Sequence, residues 1–125
     1  MNKKKIRILR WIVTIIGGII FFWYHTKDAP TFMDYQLMEY RDMRERSLNG
    51  LVTDKKIDVQ NHSRPTIIIQ QNESKIELDM LRDRSNFYNY VNIGDSITKP
   101  HGSIEIHVFS SKKDTLIRLD YLVTD

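Results

Sequence analysis

"NIGDSITKPHGSIEIHVF", residues 92–109, decides how the whole chain is read. Ser96 and Lys99 stand in the S-x-x-K spacing that sets a nucleophilic serine one helical turn from an activating lysine. Helical geometry is disfavoured here, because Ile97 and Thr98 are β-branched and Pro100 follows Lys99 directly. In an extended segment the two side chains point to opposite faces and cannot meet. Gly94 and Asp95 therefore turn the chain into a short strand, and Pro100 with Gly102 turns it out again. The segment reads as turn, strand, turn, with no catalytic serine.

The same period of two spreads outward from it. In "SIEIHVF" (103–109), Ile104, Ile106 and Val108 share one side, and in "TLIRLDYL" (115–122) Ile117, Leu119 and Tyr121 do. Upstream, "KIELDML" (75–81) alternates with Ile76, Leu78 and Met80 inward, and "TIIIQ" (66–70) is an apolar β-branched run. "LVTDKKIDV" (51–59) is a strand weakened by Lys55 and Lys56. Ser85 is placed to cap a short helix carrying Phe87 and Val91 on one side. "TFMDYQLMEYRDMRERSLNG" (31–50) has helical spacing, with Met33, Leu37 and Tyr40 on a face that Leu48 continues, and Asn49-Gly50 as its stop. The order is helix, three strands, short helix, then two or more strands. Short strands must bury one face and protect their edges, and closure does both. The expectation is a mainly β chain whose residues 51–125 form a small OB-like β-barrel. An SH3-like barrel and an open α+β sheet are the alternatives.

Before this domain, "MNKKKIRILRWIVTIIGGIIFFWYHTKDAP" (1–30) is a basic head, an apolar run and a polar exit. Residues 1–10 form a basic tail and residues 11–26 a transmembrane signal-anchor helix. The anchor residues are Trp11, Ile12, Val13, Ile15, Ile16, Ile19, Ile20, Phe21, Phe22, Trp23 and Tyr24. Uncharged Trp11 to Tyr24 alone reaches about 21 Å, and Ile8 to Thr26 about 28 Å, close to a hydrocarbon core of roughly 30 Å. A cleaved signal peptide would need small residues before the cut, and Ala29 lies between Lys27 and Pro30. A retained anchor is favoured, with residues 27–50 as a stalk or packed amphipathic helix. The positive-inside rule then puts the N-terminus in the cytoplasm and the C-terminal domain on the periplasmic or extracytoplasmic side.

Charge supports that division. The chain holds 19 Lys and Arg against 16 Asp and Glu, yet five of the cations (Lys3, Lys4, Lys5, Arg7 and Arg10) precede every acid. The rest has 14 basic residues against all 16 acids, a net of −2. A mildly acidic body argues against nucleic acid as a partner. With no Cys, disulfides, thiolate metal sites and a Cys nucleophile are excluded.

"YVNIGDSITKPHGSIEIHV", preceded by "NGLV" and one N-terminal apolar helix, resembles a group of short, uncharacterised bacterial envelope proteins with a GDS-apolar-x-K element ahead of their last strands. The layout matches over about residues 48–121 and the motif over 90–108. The resemblance implies an exported domain at the bacterial inner membrane. It carries no catalytic residues.

The candidate binding residues are Tyr88, Ser96, Lys99, His101, Glu105 and His107. Four histidines, His25, His62, His101 and His107, show no ligand spacing, so no metal and no cofactor are expected. The outward charges of the strands, Lys75, Glu77, Asp79, Glu105, Arg118 and Asp120, read as a solvated sheet face. Phe87 should close the barrel end and Tyr88 should be free for stacking. Asn61 and Asn72 sit in N-glycosylation patterns, and Ser96 and Thr115 in an Asp-Ser/Thr-apolar O-glycosylation pattern at proposed turns. These features favour a non-catalytic anchored protein that binds another envelope component, protein or glycan. The alternative is a small periplasmic enzyme acting on cell-wall or periplasmic substrate through the 95–107 loop and strand.

Overall fold

The computed structural model describes residues 2–111 and 113–123, so the first residue of the basic tail, Lys112 and the last two residues of the expected domain lie outside the described residues. The chain divides into two compact units, Met1–Thr31 and Phe32–Asp125.

The first unit is one helix, α1 (Lys3–Thr26), which begins inside the basic tail and runs through the whole apolar stretch. Its 24 residues are long and apolar enough to cross a membrane, with a mean hydropathy of 1.8 over the best window, and none is buried. Polar side chains along it turn back onto the backbone. Thr14 Oγ1 donates to Arg10 O at 2.9 Å and Thr26 Oγ1 to Phe22 O at 2.7 Å, while His25 Nδ1 lies 3.0 Å from Phe21 O. An apolar solvent would find both threonine hydroxyls already bonded.

The second unit runs α2 (Phe32–Glu45), β1 (Leu48–Asp58), β2 (Arg64–Gln71), β3 (Ser74–Asp79), α3 (Phe87–Tyr90), β4 (Ser96–Lys99), β5 (Glu105–Phe109) and β6 (Asp114–Arg118). The six strands form one antiparallel sheet in the order β3-β2-β1-β4-β5-β6. Pairing does not close it. β3 and β6 are edges, and α2 contributes Tyr40 and Met43 to the core in place of further strand pairing.

Alternation is observed as read. Ile67, Ile69, Leu78, Met80, Ile104, Ile106, Val108, Leu119 and Tyr121 are buried in one core, and Ile76 and Ile117 pack against it. β1 tolerates its two lysines through a register shift between Val52 and Asp54. Beyond the shift, Lys55 Nζ lies 4.7 Å from the Tyr88 ring centroid and donates to Val91 O at 2.8 Å.

Three expectations are corrected. The helix expected over 31–50 is α2 and ends at Glu45, not at Gly50, because Leu48, Asn49 and Gly50 pair with Lys99, Thr98 and Ile97 of β4. Gly50 is needed for close approach of strands: a Cβ there would sit 2.4 Å from Gln70 O and 2.6 Å from Ile69 Cγ2. The buried stripe of α2 is Gln36, Tyr40 and Met43, which leaves Met33 exposed. Ser85 does not cap α3. The Asp83 carboxylate takes that part, accepting from Ser85 N at 3.0 Å and Phe87 N at 3.4 Å, and it also accepts from Asp120 N at 2.9 Å.

Gly50→Ala should destabilise the second unit by about 1–3 kcal/mol through overpacking. Thermal unfolding followed by the near-ultraviolet signal of its tyrosines checks this, and an unchanged midpoint would refute the close-approach account.

Candidate functional site

The segment from Asn92 to His107 is built from two turns around β4. Asp95 is buried, and its carboxylate accepts from Asn92 N at 2.9 Å. Gly94 stands at φ 98°, a left-handed conformation that glycine adopts without strain. Gly94 N donates to Val52 O and Val52 N to Asp95 O, both at 2.8 Å, which clamps the turn onto β1 where its register shifts.

Ser96 is exposed, whereas Lys99 is 1% exposed on the opposite face of the strand. The Lys99 ammonium is fully engaged by backbone carbonyls. It donates to Ser103 O at 2.8 Å, Pro100 O at 3.0 Å and Arg44 O at 3.3 Å. Burial pushes its pKa below the ordinary 10.5. Arg44 lies in the last turn of α2, where helix carbonyls lack internal partners and the dipole favours a cation. Gly102 N reaches the same carbonyl at 2.8 Å. Lys99 therefore fastens the end of α2 to the 100–103 turn, and Ser96 and Lys99 do not assemble into a pair.

The other sequence-selected residues disperse. His101 is exposed in the turn. Glu105 and His107 share the outer face of β5. Glu105 is 3.6 Å from Arg118, and His107 Nε2 is 3.8 Å from Asp114 with its ring 4.1 Å from that of Phe109. Tyr88 is half-buried beneath Lys55. Asn61 and Asn72 are exposed in turns. Thr115, expected at a turn, lies within β6 and accepts the Tyr90 hydroxyl at 2.7 Å.

What sequence reasoning missed is the character of the outer face. Cross-strand register sets Leu51, Ser96 and Phe109 in one row, and Thr98, His107 and Leu116 in the next. Leu51, Phe109 and Leu116 are exposed there, so apolar side chains flank Ser96, Thr98 and His107 on a face of mixed character. Phe109 and Leu116 both fall on the outward parity of their strands, a signal already present in the alternation. Beside the face, a groove of about 380 Å³ is lined by Tyr40, Arg44, Ser103, Glu105 and Arg118. Among the described residues no three His, Asp or Glu side chains converge as metal ligands would.

Near β3, burial of Glu39, then the charges of Asp79 and Asp42, raise its carboxyl above the ordinary 4.5. A carboxylate whose folded pKa is raised costs stability when ionised. The second unit should therefore gain stability as pH falls from neutral through the folded pKa of Glu39. Glu39→Gln should stabilise at neutral pH by less than about 1 kcal/mol, since the group is half-exposed, and should flatten the mildly acidic slope. Melting curves across that range test both. A variant no more stable than the parent at neutral pH would contradict them.

Lys99→Ala should cost about 2–4 kcal/mol by taking the donor from the Pro100 and Ser103 carbonyls and leaving a cavity, while Ser96→Ala should stay within about 0.5 kcal/mol. Denaturant titration separates the two, and equal effects would remove the structural role assigned to Lys99. Compared with known proteins, the chain matches no family model, no curated protein and no solved structure.

Proposed function

We propose that this is a single-pass protein of the bacterial inner membrane, with α1 a retained signal-anchor, its basic end in the cytoplasm and the second unit displayed in the periplasm. That unit binds another envelope component, protein or glycan, and is non-catalytic. The observation that carries the reading is α1 itself: a 24-residue apolar helix with no buried residue and with its threonine hydroxyls bonded to its own carbonyls.

The placement of charge adds a second support. Lys3, Lys4 and Lys5 occupy the first turn of α1, which holds no acid. Each cation there opposes the helix dipole by about 0.3–1 kcal/mol, so helix stability does not explain them. Retention of positive charge on the cytoplasmic side does. At the other end, Lys27 Nζ lies 5.3 Å from the Trp23 ring and 4.9 Å from the Tyr24 ring, an arrangement suited to a membrane–water boundary. The resemblance to short envelope proteins points the same way.

The sheet fits an OB-like reading in that β1 pairs with both β2 and β4 while α3 lies between β3 and β4, with α2 covering the side that strand pairing leaves open. The outer rows around Leu51, Ser96, His107 and Phe109 offer a mixed apolar and polar contact surface that the fold does not itself use. A binding face of this composition needs no catalytic group.

Two measurements test the proposal. A reporter fused after the last residue should be active only outside the cytoplasm, and N-terminal sequencing of the mature protein should begin at its start. A photo-crosslinker at Phe109 should give a discrete adduct in cells that the same group at exposed Glu73 does not give. Mature chains beginning downstream of Tyr24, or a reporter active only in a reducing compartment, would sink the anchor; identical behaviour of the two crosslinker positions would sink the binding face.

A further inference from the structure

The two edges of the sheet are treated differently. On β6, Leu119 N donates to Ile104 O, and Ser110 N reaches Lys113 O, so the odd-numbered residues bond toward β5. The backbone groups of even-numbered residues point away. At Asp120 they are taken up: Asp120 O accepts from Arg84 N at 2.6 Å and Asp120 N donates to Asp83. At Asp114, Leu116 and Arg118 no hydrogen bond among the described residues uses them. Leu116, at the centre of this open edge, is 60% exposed.

β3 is guarded. Its outward backbone positions carry Lys75, Glu77 and Asp79, and α2 brings Glu39, Asp42 and Arg46 beside Glu77 and Asp79. Charged side chains and a covering helix are the usual means of keeping an edge from pairing. β6 has neither over its central residue.

We propose that the free edge of β6 pairs antiparallel with β6 of a second copy of this chain, about a two-fold axis at Leu116, to make a homodimer with a continuous sheet. The sequence of the strand is self-complementary in that register. Asp114 of each copy lies opposite Arg118 of the other, and Leu116 lies opposite its own counterpart on the same face. A shift of two residues in either direction sets Leu116 against a charge, and a shift of four sets Asp114 or Arg118 against itself. Charge thus selects the register as well as permitting it. Outward backbone groups at 114, 116 and 118 then form about six interchain hydrogen bonds, and two exposed leucines are buried against each other. This inference is independent of whether α1 spans a membrane.

The full chain in detergent micelles should sediment as a dimer. Asp114→Arg should weaken the dimer by about tenfold or more, and the swap Asp114→Arg with Arg118→Asp should restore it to within a few-fold. Leu116→Pro removes an outward N–H without touching the β5 ladder, so it should abolish the dimer and leave the melting curve of the second unit in place. Because the chain has no Cys, Leu116→Cys gives a clean readout: facing Cα atoms about 5.5 Å apart lie within disulfide range, so oxidation should link the dimer, while Lys75→Cys on the guarded edge should not link. A monomeric parent chain, a dimer indifferent to Asp114→Arg, a double swap that stays weak, or equal linking at positions 75 and 116 would each overturn the proposal.

Discussion

The second unit depends on how its buried polar groups are satisfied. A six-stranded sheet whose ends do not pair leaves its core open on one side, and α2 covers that side with Tyr40 and Met43. Apolar contact alone would let the helix slide. Gln36, fully buried, donates to Arg82 O at 3.1 Å and Tyr121 O at 2.9 Å, and Lys99 reaches Arg44 O at the far end of the helix. Each of these donors would lose on the order of 1–3 kcal/mol if left unpaired, which favours this placement of α2 over a shifted one. The helix is pinned at both ends by polar groups and packed between them by apolar ones. Tyr40 meets Tyr121 edge-on, with ring centroids 6.4 Å apart.

That arrangement decides which surfaces remain for function. The inner face is consumed by the core, and Lys99, the one buried cation among the described residues, is spent on carbonyls. A buried ammonium with a lowered pKa is often read as a catalytic base. Here the same property has a packing cause, because the buried amine donates to three backbone carbonyls while Ser96 lies on the opposite face of the strand. What remains is the outer face and the two edges. The face is apolar at Leu51 and Phe109 and polar around them, and of the edges only β6 has unguarded backbone.

Legibility in the sequence followed the range of the interactions. Strand parity is local, and Ile104, Ile106 and Val108 were assigned to the core from alternation alone. The short β4 between its turns was equally readable, since Pro100 and the β-branched pair act on their immediate neighbours. Helix ends were not. Asn49-Gly50 is a sound local stop, yet pairing with β4, some fifty residues later, draws both into β1. The cap of α3 was assigned to Ser85 by proximity, whereas Asp83 wins because it also ties down Asp120, a partner no local rule names. Barrel closure is a property of the two edges together, and nothing in either strand's own pattern states whether the ends meet. At the site, Glu105 and His107 lie on the outward side their parity indicates, and the same parity applied to Phe109 and Leu116 would have revealed the exposed apolar side chains beside them.

One electrostatic rule, applied at two helix ends, separates what the chain does for itself from what it does for its surroundings. At the C-terminal end of α2 the buried cation Lys99 joins Arg44 of the last turn where the helix dipole favours positive charge, and folding gains from it. At the N-terminal end of α1, Lys3, Lys4 and Lys5 occupy the first turn where the dipole disfavours them, with no acid in it, and Arg7 and Arg10 follow. No carboxylate within that unit's described hydrogen bonds or ion pairs offsets them. Helix formation therefore does not account for the cluster. Anionic lipid headgroups attract basic residues by about 1 kcal/mol each at the surface of a charged leaflet, more than the dipole's penalty. The helix that carries the cluster is apolar over the length such a leaflet requires.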